Sequence, residues 1–190
     1  MEAELKAFLA QRPKQTIVDK TRISSAVLIP LYRNDGKYHI VFIKRSLMVK
    51  THQGQIAFPG GARHAHDGTM LDTALRESEE EIGLRTGDVN ILGELDDEVT
   101  TTSNFIVTPF VAVIPCPYRF TLSKAEVDRL IKVPVPALLD KDYLKPATEI
   151  LNGEKVTSFA YHYRGKIIWG ATARILNKFL DIVSQVAAEK

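Results

Sequence analysis

Apolar residues follow two kinds of spacing along this chain. Runs that alternate with polar residues, or that are continuously apolar and rich in β-branched residues, are typical of strands. Turn sequences separate the strands of two predicted hairpins, Asn-Asp-Gly-Lys at 34–37 and Arg-Gly at 164–165. The predicted strands cover residues 23–32, 38–44, 89–95, 105–114, 159–163 and 166–169.

Apolar residues three and four positions apart predict helices elsewhere in the chain. The predicted helices are a short one with Leu5, Phe8 and Leu9 that ends near Pro13, one from Thr69 to Ile82 that stops at Gly83, one that follows the capping sequence Ser-Lys-Ala-Glu at 123–126 and runs through Ile131, and a closing one from Ala171 to Ala187. Strands that pair mainly with their neighbours, with helices between them, indicate an α/β fold with a mixed sheet between helical layers.

Length and composition indicate one globular unit. The chain has 190 residues, 45% of them apolar, which is enough for one sizeable core. No repeat, linker-like stretch or shift in composition divides it, so we expect a single domain over 1–190 with a helical extension at 1–20. That helix could cover a neighbouring subunit as well as its own core, so a homodimer stays an alternative.

Charge and hydropathy exclude several classes of partner. The net charge is +2 with both signs mixed throughout, so no broad field favours nucleic acid or a membrane surface. The longest apolar stretch, 105–117, contains Pro109 and Pro115 and is too short to span a bilayer. The N-terminus lacks the apolar core of a signal peptide, so we expect a cytoplasmic protein. Cys116, the only cysteine, excludes an internal disulfide and a multi-cysteine zinc site.

The helix predicted at 69–82 has an apolar side and an acidic side. Because each residue turns a helix by about 100°, Glu77, Glu80 and Glu81 fall opposite the apolar stripe. Clustered carboxylates repel one another unless a cation lies between them, and such oxygen ligands suit Mg²⁺ or Mn²⁺. A solvated acidic face is the alternative. The stripe consists of Leu71, Ala74, Leu75, Ser78 and Ile82, and the buried Ser78 hydroxyl needs an acceptor such as the Ala74 carbonyl.

The glycine-rich loop and this helix together resemble the Nudix box. The box has the form G-x5-E-x7-R-E-U-x-E-E-x-G-U, where U is a bulky aliphatic residue, and it corresponds here to Gly61 through Leu84. Asp67 stands in place of the first glutamate, and eight residues rather than seven separate it from Arg76. Ser78 replaces an aliphatic residue.

A second motif ahead of the box resembles one branch of the same superfamily, the coenzyme A pyrophosphatases. That branch shares the aspartate and the extra residue, and it carries R-S-x3-R-x3-G-x3-F-P-G-G upstream. The chain has Arg45-Ser46, Lys50, Gly54 and then Phe58-Pro59-Gly60-Gly61 at that spacing. Lys50 replaces the second arginine, and the resemblance extends over residues 22–180.

The resemblance implies an α/β/α sandwich that hydrolyses a diphosphate linkage with a divalent metal ion. The implied substrate is a small nucleotide diphosphate, coenzyme A or an acyl-CoA, cut into 4′-phosphopantetheine and 3′,5′-ADP. An ADP-ribose or NDP-sugar hydrolase of the same superfamily is an alternative. An inactive nucleotide-binding module is a more remote one.

We expect the metal site to centre on the predicted acidic helix. Glu77 and Glu81, four residues apart, are the first choice as ligands, with Glu80 beside them. The resemblance adds the main-chain carbonyl of Gly60 as a ligand. It also assigns Arg76 to clamp the loop acid, whereas a simple ion pair with Glu80 is the alternative for Arg76.

Further catalytic and substrate-binding candidates lie on both sides of the box. Arg45, Lys50 and His52 are candidates to meet the phosphates of the substrate, the arginine through its planar fork. An ordinary surface lysine is the alternative for Lys50, and a hydrogen-bonded loop residue is the alternative for His52. The catalytic candidates are Arg76, Glu80 and Glu81. The general base is either Glu80 or a carboxylate of the loop at 94–98.

Overall fold

The computed structural model describes residues 1–151 and 154–188, in which groups of strands are separated by helices. The helices are α1 (Glu2–Gln11), α2 (Met70–Ile82), α3 (Val135–Leu139) and α4 (Gly170–Ala188). The strands are β1 (Ile23–Asn34), β2 (Lys37–Arg45), β3 (Ile56–Ala57), β4 (Gly60–Ala62), β5 (Asn90–Glu94), β6 (Glu98–Val99), β7 (Phe105–Val113), β8 (Val127–Pro134), β9 (Leu144–Leu151), β10 (Glu154–Tyr163) and β11 (Lys166–Ile168).

The larger sheet is mixed, as predicted. β1 pairs in parallel with β7 and antiparallel with β2, to which it is joined by a tight turn. Asp35 and Gly36 both have positive φ in that turn, 48° and 74°, which is the backbone shape a two-residue hairpin needs. β5 and β6 extend the sheet beyond β7, and β8 extends it beyond β2. A second, three-stranded sheet has the order β11-β10-β9 and includes the predicted second hairpin.

Two short strands fill the place where β1 and β2 separate. β2 pairs with β1 only near the turn, and its far end pairs with β3. The early part of β1 pairs with β4 instead, with Val27 opposite Gly60. Between them the Leu28 N–H donates to the Pro59 carbonyl at 2.9 Å. The glycine-rich loop is therefore hydrogen-bonded into the centre of the sheet.

Helices cover both faces of this sheet. Alternate residues of a strand point to opposite faces, so Leu28 and Ile29 belong to two different cores. The Leu28 core includes Ala74 and Ile82 of α2. The Ile29 core includes Leu5 of α1 together with residues of α3 and α4. These layers form the expected α/β/α sandwich, and in this chain α1 packs on its own core.

One predicted helix is wrong. The segment through Ile131 forms strand β8, which pairs antiparallel with β2 over Val127–Pro134. The capping sequence closes a turn instead, in which the N–H groups of Glu126 and Val127 both donate to the Ser123 carbonyl. Val127, Ile131 and Val133 are β-branched and buried, with exposed or half-buried residues between them, which suits a strand that has one buried face.

Among the helices in the described part of the chain, none combines the length and apolar character needed to cross a bilayer.

Candidate active site

α2 carries the acidic residues and is fixed at both ends. Thr69 and Asp72 form a reciprocal capping box at its start. Gly83 ends it in the left-handed conformation, with φ 66°, and its N–H donates to the Glu79 carbonyl at 2.9 Å. Inside the helix the buried Ser78 hydroxyl donates to the Ala74 carbonyl at 2.7 Å, as expected. Both ends of the helix are therefore where the sequence predicts them.

The two glycines of the loop lie directly against two glutamates of α2. The Gly60 N–H donates to Glu81 Oε2 at 2.9 Å. A Cβ atom on Gly61 would lie 2.4 Å from Glu77 Oε2, and one on Gly60 would lie 2.3 Å from the Ala26 carbonyl oxygen. Gly60 also has a φ of 149°, which side chains with a Cβ rarely adopt. Gly60 therefore has no room for a Cβ atom against the main chain of β1, and a Cβ atom on Gly61 would displace the Glu77 carboxylate.

Burial raises the pKa of both glutamates. Desolvation raises the pKa of Glu81 to about 8, although the Gly60 N–H and Arg45 act in the opposite direction. Desolvation likewise raises the pKa of Glu77, against the pull of Arg76. The Glu77 carboxylate also raises the pKa of Glu81, and the Glu80 carboxylate raises that of Glu77. Two neighbouring carboxylates whose ionisation is unfavourable suit a divalent cation, because a bound cation stabilises their ionised forms.

Glu80 does not join the other two, so the expected group of three is not assembled. Its side chain is exposed and accepts a hydrogen bond from Arg76 Nη1 at 3.1 Å. On the helical wheel Glu80 lies on one side of Glu77 and Glu81 lies on the other, and Arg76 at i−4 attracts Glu80. Within residues 1–151 and 154–188, no three His, Cys, Asp or Glu side chains come together in an arrangement that could hold a metal ion.

Arg76 connects the loop acid to the helix. Its Nε donates to Asp67 Oδ1 at 2.9 Å and its Nη2 donates to Asp67 Oδ2 at 3.1 Å. Nη2 also donates to the Ala62 carbonyl, and Nη1 lies 2.7 Å from Glu77 Oε1. The guanidinium, with the His64 N–H and the Thr73 hydroxyl, holds the pKa of Asp67 well below its usual range. Asp67 therefore contacts Arg76 directly although it is shorter than a glutamate. Arg76 also forms the ion pair with Glu80 that was the alternative.

A cavity of about 370 Å³ opens beside Glu77 and Glu81. Its size is within the range typical of small-molecule sites. Of the expected substrate-binding residues, Arg45 and His52 line it, whereas Lys50 is exposed and lies outside the lining. His52 Nδ1 lies 3.1 Å from Gln55 Oε1, a hydrogen bond within the loop.

Arg45 brings a positive charge to the cavity. Its Nη1 lies 3.6 Å from Glu81 Oε1. Its Nε is buried and has no hydrogen-bond partner among the residues the structure describes. Backbone hydrogen bonds from Arg45 N–H to the Gln55 carbonyl and from Gly54 N–H to the Arg45 carbonyl fix the start of this loop. The Arg45 guanidinium therefore brings its charge to the cavity lining next to Glu81.

The acids of the loop at 94–98 make ion pairs and hydrogen bonds of their own, and they are not among the residues that line the cavity. Asp96 pairs with Arg12, and Glu98 pairs with Arg174. Asp97 is buried and accepts a hydrogen bond from the Thr108 hydroxyl at 2.8 Å. None of the described acids of this loop belongs to the cavity lining. Their role in the structure is to tie the N-terminal segment and α4 to the sheet.

Glu126 is the lining carboxylate that the sequence did not indicate. It lies on the turn before β8, and its carbonyl accepts a hydrogen bond from the Ser46 N–H at 2.8 Å. The same turn is tied to α2, because the Ser123 N–H donates to the Glu81 carbonyl at 2.9 Å. Glu126 adds to the rise in the pKa of Glu81. The sequence predicts a helix here, and a helix would not indicate that Glu126 lies at the cavity.

Comparisons with known proteins agree with this geometry. The family model described as NUDIX domain matches residues 22–143. The chain is 31% identical over 171 residues to a protein named Uncharacterized Nudix hydrolase NudL from Photorhabdus laumondii, which covers 90% of each chain. A MutT/nudix family protein from Enterococcus faecalis shares the fold, with a TM-score of 0.59 and 15% identity over 96% of this chain and 69% of that one.

A further solved structure has a ligand in its title. The NUDIX domain of NrtR from Shewanella oneidensis, complexed with ADP ribose, has a TM-score of 0.50 and 16% identity over 70% of this chain and 84% of that one. At this identity the likeness concerns the fold. The family match and the curated relative go further, and they show that the chain belongs to the Nudix hydrolase family.

Proposed function

We propose that this protein hydrolyses the diphosphate linkage of coenzyme A or an acyl-CoA, giving 4′-phosphopantetheine and 3′,5′-ADP. The observation that carries the proposal is the joint motif from Arg45 to Gly61, followed by Asp67 at the spacing of the coenzyme A pyrophosphatases. The direct contact of Asp67 with Arg76 supports it, because the shorter acid and the extra residue are compatible with an intact clamp.

Nudix hydrolases generally use divalent metal ions. Glu77 and Glu81 would hold Mg²⁺ or Mn²⁺ here, with the Gly60 carbonyl as a further ligand in the family manner. The cation would neutralise charge on the phosphate oxygens and lower the pKa of a bound water. Arg76 is a positioning residue, since it contacts Glu77 and ties it to Asp67.

Arg45 is our candidate for binding the diphosphate. The guanidinium lines the cavity, with Nη1 3.6 Å from Glu81 Oε1. A guanidinium forms charge-assisted hydrogen bonds with phosphate oxygens. His52 is a second contact from the same wall, and Lys50 would have to act from the rim of the cavity.

Glu126 is our candidate for the group that accepts a proton from the attacking water. It lines the cavity with Glu77 and Glu81, whereas Glu80 is turned toward Arg76. A general base must reach the water that it deprotonates, so a carboxylate inside the cavity is favoured. Glu81 remains the alternative on α2, as a ligand that also orients the water.

A substrate panel tests the proposal. The purified protein is incubated with coenzyme A, an acyl-CoA, ADP-ribose and an NDP-sugar in Mg²⁺ or Mn²⁺, and kcat/KM is measured for each. We expect coenzyme A or the acyl-CoA to be preferred. Glu77→Gln is the control, because it should remove turnover of every substrate if the activity belongs to this site. A hundredfold preference for ADP-ribose or the sugar nucleotide would assign the enzyme to another branch.

A further inference from the structure

Trp169, the only tryptophan of the chain, lies in the wall of the cavity. Tryptophan has the largest apolar surface to gain from burial, and yet 37% of this side chain is exposed. The other two aromatic rings in the lining are more buried, Phe58 with 2% exposed and Phe105 half-buried. Trp169 is thus the aromatic side chain in the lining with the most surface left for a ligand.

The backbone around Trp169 is held firmly. Ile168, directly before it, is 1% exposed and pairs with Tyr161 across β10 and β11. Trp169 itself leads into α4, where the Ala173 N–H donates to its carbonyl at 3.4 Å. A ring presented between a paired strand and a long helix loses little freedom when a ligand binds. The position of Trp169 therefore suits binding of a ligand in the cavity.

The lining combines a charged part with an apolar part. Glu77, Glu81 and Arg45 form the charged part, which suits a diphosphate and its metal ion. A diphosphate leaves the apolar part unused. A planar ring would use it, since aromatic side chains stack on nucleobases. The apolar part consists of Val27, Ile56, Phe58, Phe105, Val107, Trp169 and Ile175.

We propose that Trp169 stacks on the purine ring of the nucleotide half of the substrate. This inference rests on the proposed function, in which that half is 3′,5′-ADP. The nucleotide half then lies along the wall formed by β11 and the start of α4. The phosphopantetheine half makes no stacking contact with Trp169. Trp169 is accordingly a specificity residue, and the chemistry at the diphosphate does not depend on it.

Intrinsic fluorescence tests the contact without turnover, because the chain has a single tryptophan. The wild-type protein is titrated in EDTA with 3′,5′-ADP, with 4′-phosphopantetheine and with inorganic diphosphate. We expect saturable quenching with 3′,5′-ADP and none with the other two. Equal quenching by 4′-phosphopantetheine, or no response to 3′,5′-ADP up to millimolar concentrations, would overturn the inference.

Kinetics of variants provide the second readout. Trp169→Leu should raise KM for coenzyme A at least about tenfold with little change in kcat, because base stacking acts on binding. Trp169→Phe should recover most of the loss. Ile167→Ser is the matched control, since Ile167 lies two residues away on β11, is 49% exposed and is outside the lining. Equal kinetics for Trp169→Leu and Ile167→Ser would refute the stacking contact.

The two proposals fail separately. Quenching by 3′,5′-ADP in a protein that does not cut coenzyme A would support the base site and reject the proposed substrate. Cleavage of coenzyme A with a KM that is insensitive to Trp169→Leu would support the substrate and reject the base site.

Discussion

Arg76 holds both carboxylate oxygens of Asp67, which lies nine residues earlier in the chain, at 2.9 Å and 3.1 Å. The same guanidinium contacts Glu77 at 2.7 Å. One planar side chain therefore links the loop after the glycines to the helix that carries the acids. The geometry needs a fork of donors, which lysine does not have.

Arg76→Lys should therefore weaken metal binding while the protein still folds. Loss of a residue that orients a metal ligand typically costs about 10- to 100-fold in metal affinity or activity, and we expect that range for Mn²⁺. Isothermal titration with Mn²⁺ measures it directly. Arg85→Lys is the matched control, because Arg85 also pairs with an aspartate, Asp88 at 2.9 Å, but on the exposed surface. Equal Mn²⁺ affinity in the two variants would contradict the positioning role.

The lowered pKa of Asp67 predicts a pH-dependent contribution to stability. A carboxyl group whose pKa falls on folding stabilises the native state above its unfolded pKa of about 3.9, and this contribution is lost as the pH falls through the folded value. Asp67→Asn should thus be less stable than the wild type at pH 7, and the gap should narrow below about pH 4. Urea unfolding between pH 3 and pH 7 checks this. A gap that is constant with pH would show that Asp67 acts through packing alone.

Local signals made much of this fold predictable. Thr69 with Asp72 and Gly83 each mark one end of α2 through residues local to that end, and the Asn34–Lys37 turn specifies the first hairpin by its own backbone preferences. The sequence predicts a helix where β8 lies, because the strand forms only by pairing with β2, more than eighty residues earlier. Propensity over a few residues does not contain that partner.

The site was predictable where residues share one element and less so where they come from several. Glu77 and Glu81 are four residues apart on α2, so their side chains lie on the same side of the helix, and both line the cavity. Glu80 shares the helix, but its side chain is exposed, pairs with Arg76 and does not line the cavity. The turn that carries Glu126 is held beside the cavity by two backbone hydrogen bonds, from the Ser46 N–H to the Glu126 carbonyl and from the Ser123 N–H to the Glu81 carbonyl. No local sequence pattern predicts those contacts.

Glu81→Gln should stabilise the metal-free protein at high pH. The pKa of Glu81 rises on folding from 4.5 to about 8, so the folded state binds more protons and the wild type loses stability as the pH rises through that interval. The glutamine keeps an oxygen for the Gly60 N–H and carries no charge. At pH 8 we expect it to be more stable by on the order of a few kcal/mol, with the gap closing toward pH 5.

Urea unfolding of both proteins in EDTA at pH 5 and pH 8 measures that difference. Saturating Mg²⁺ should then raise the stability of the wild type and leave Glu81→Gln nearly unchanged, because a ligand stabilises only the state that binds it. Turnover should be lost in the variant at every pH. A variant that is less stable than the wild type at pH 8 in EDTA would contradict the desolvation of Glu81.

Gly60 and Gly61 are adjacent, but alanine should affect them in different ways. At Gly61 the new Cβ would meet the Glu77 carboxylate, 2.4 Å away, which can move at the end of its side chain. At Gly60 it would meet the Ala26 carbonyl oxygen at 2.3 Å and Val27 Cα at 2.6 Å, both main-chain atoms of the central strand β1, at a φ of 149°. The first clash disturbs the site, and the second disturbs the sheet.

Gly61→Ala should therefore fold with a melting temperature close to that of the wild type and lose about 100-fold in kcat/KM, because a displacement of about 1 Å in a catalytic group has that effect. Gly60→Ala should lose more than about 3 kcal/mol of stability or fail to fold. Gly87→Ala is the control for alanine itself, since its Cβ would have no atom within 4 Å, and it should change stability by less than about 0.5 kcal/mol. Thermal unfolding and steady-state kinetics of the three variants separate the effects. Full activity in Gly61→Ala would mean that Glu77 does not need its present position against the loop, and the assignment of Glu77 as a metal ligand would then fail.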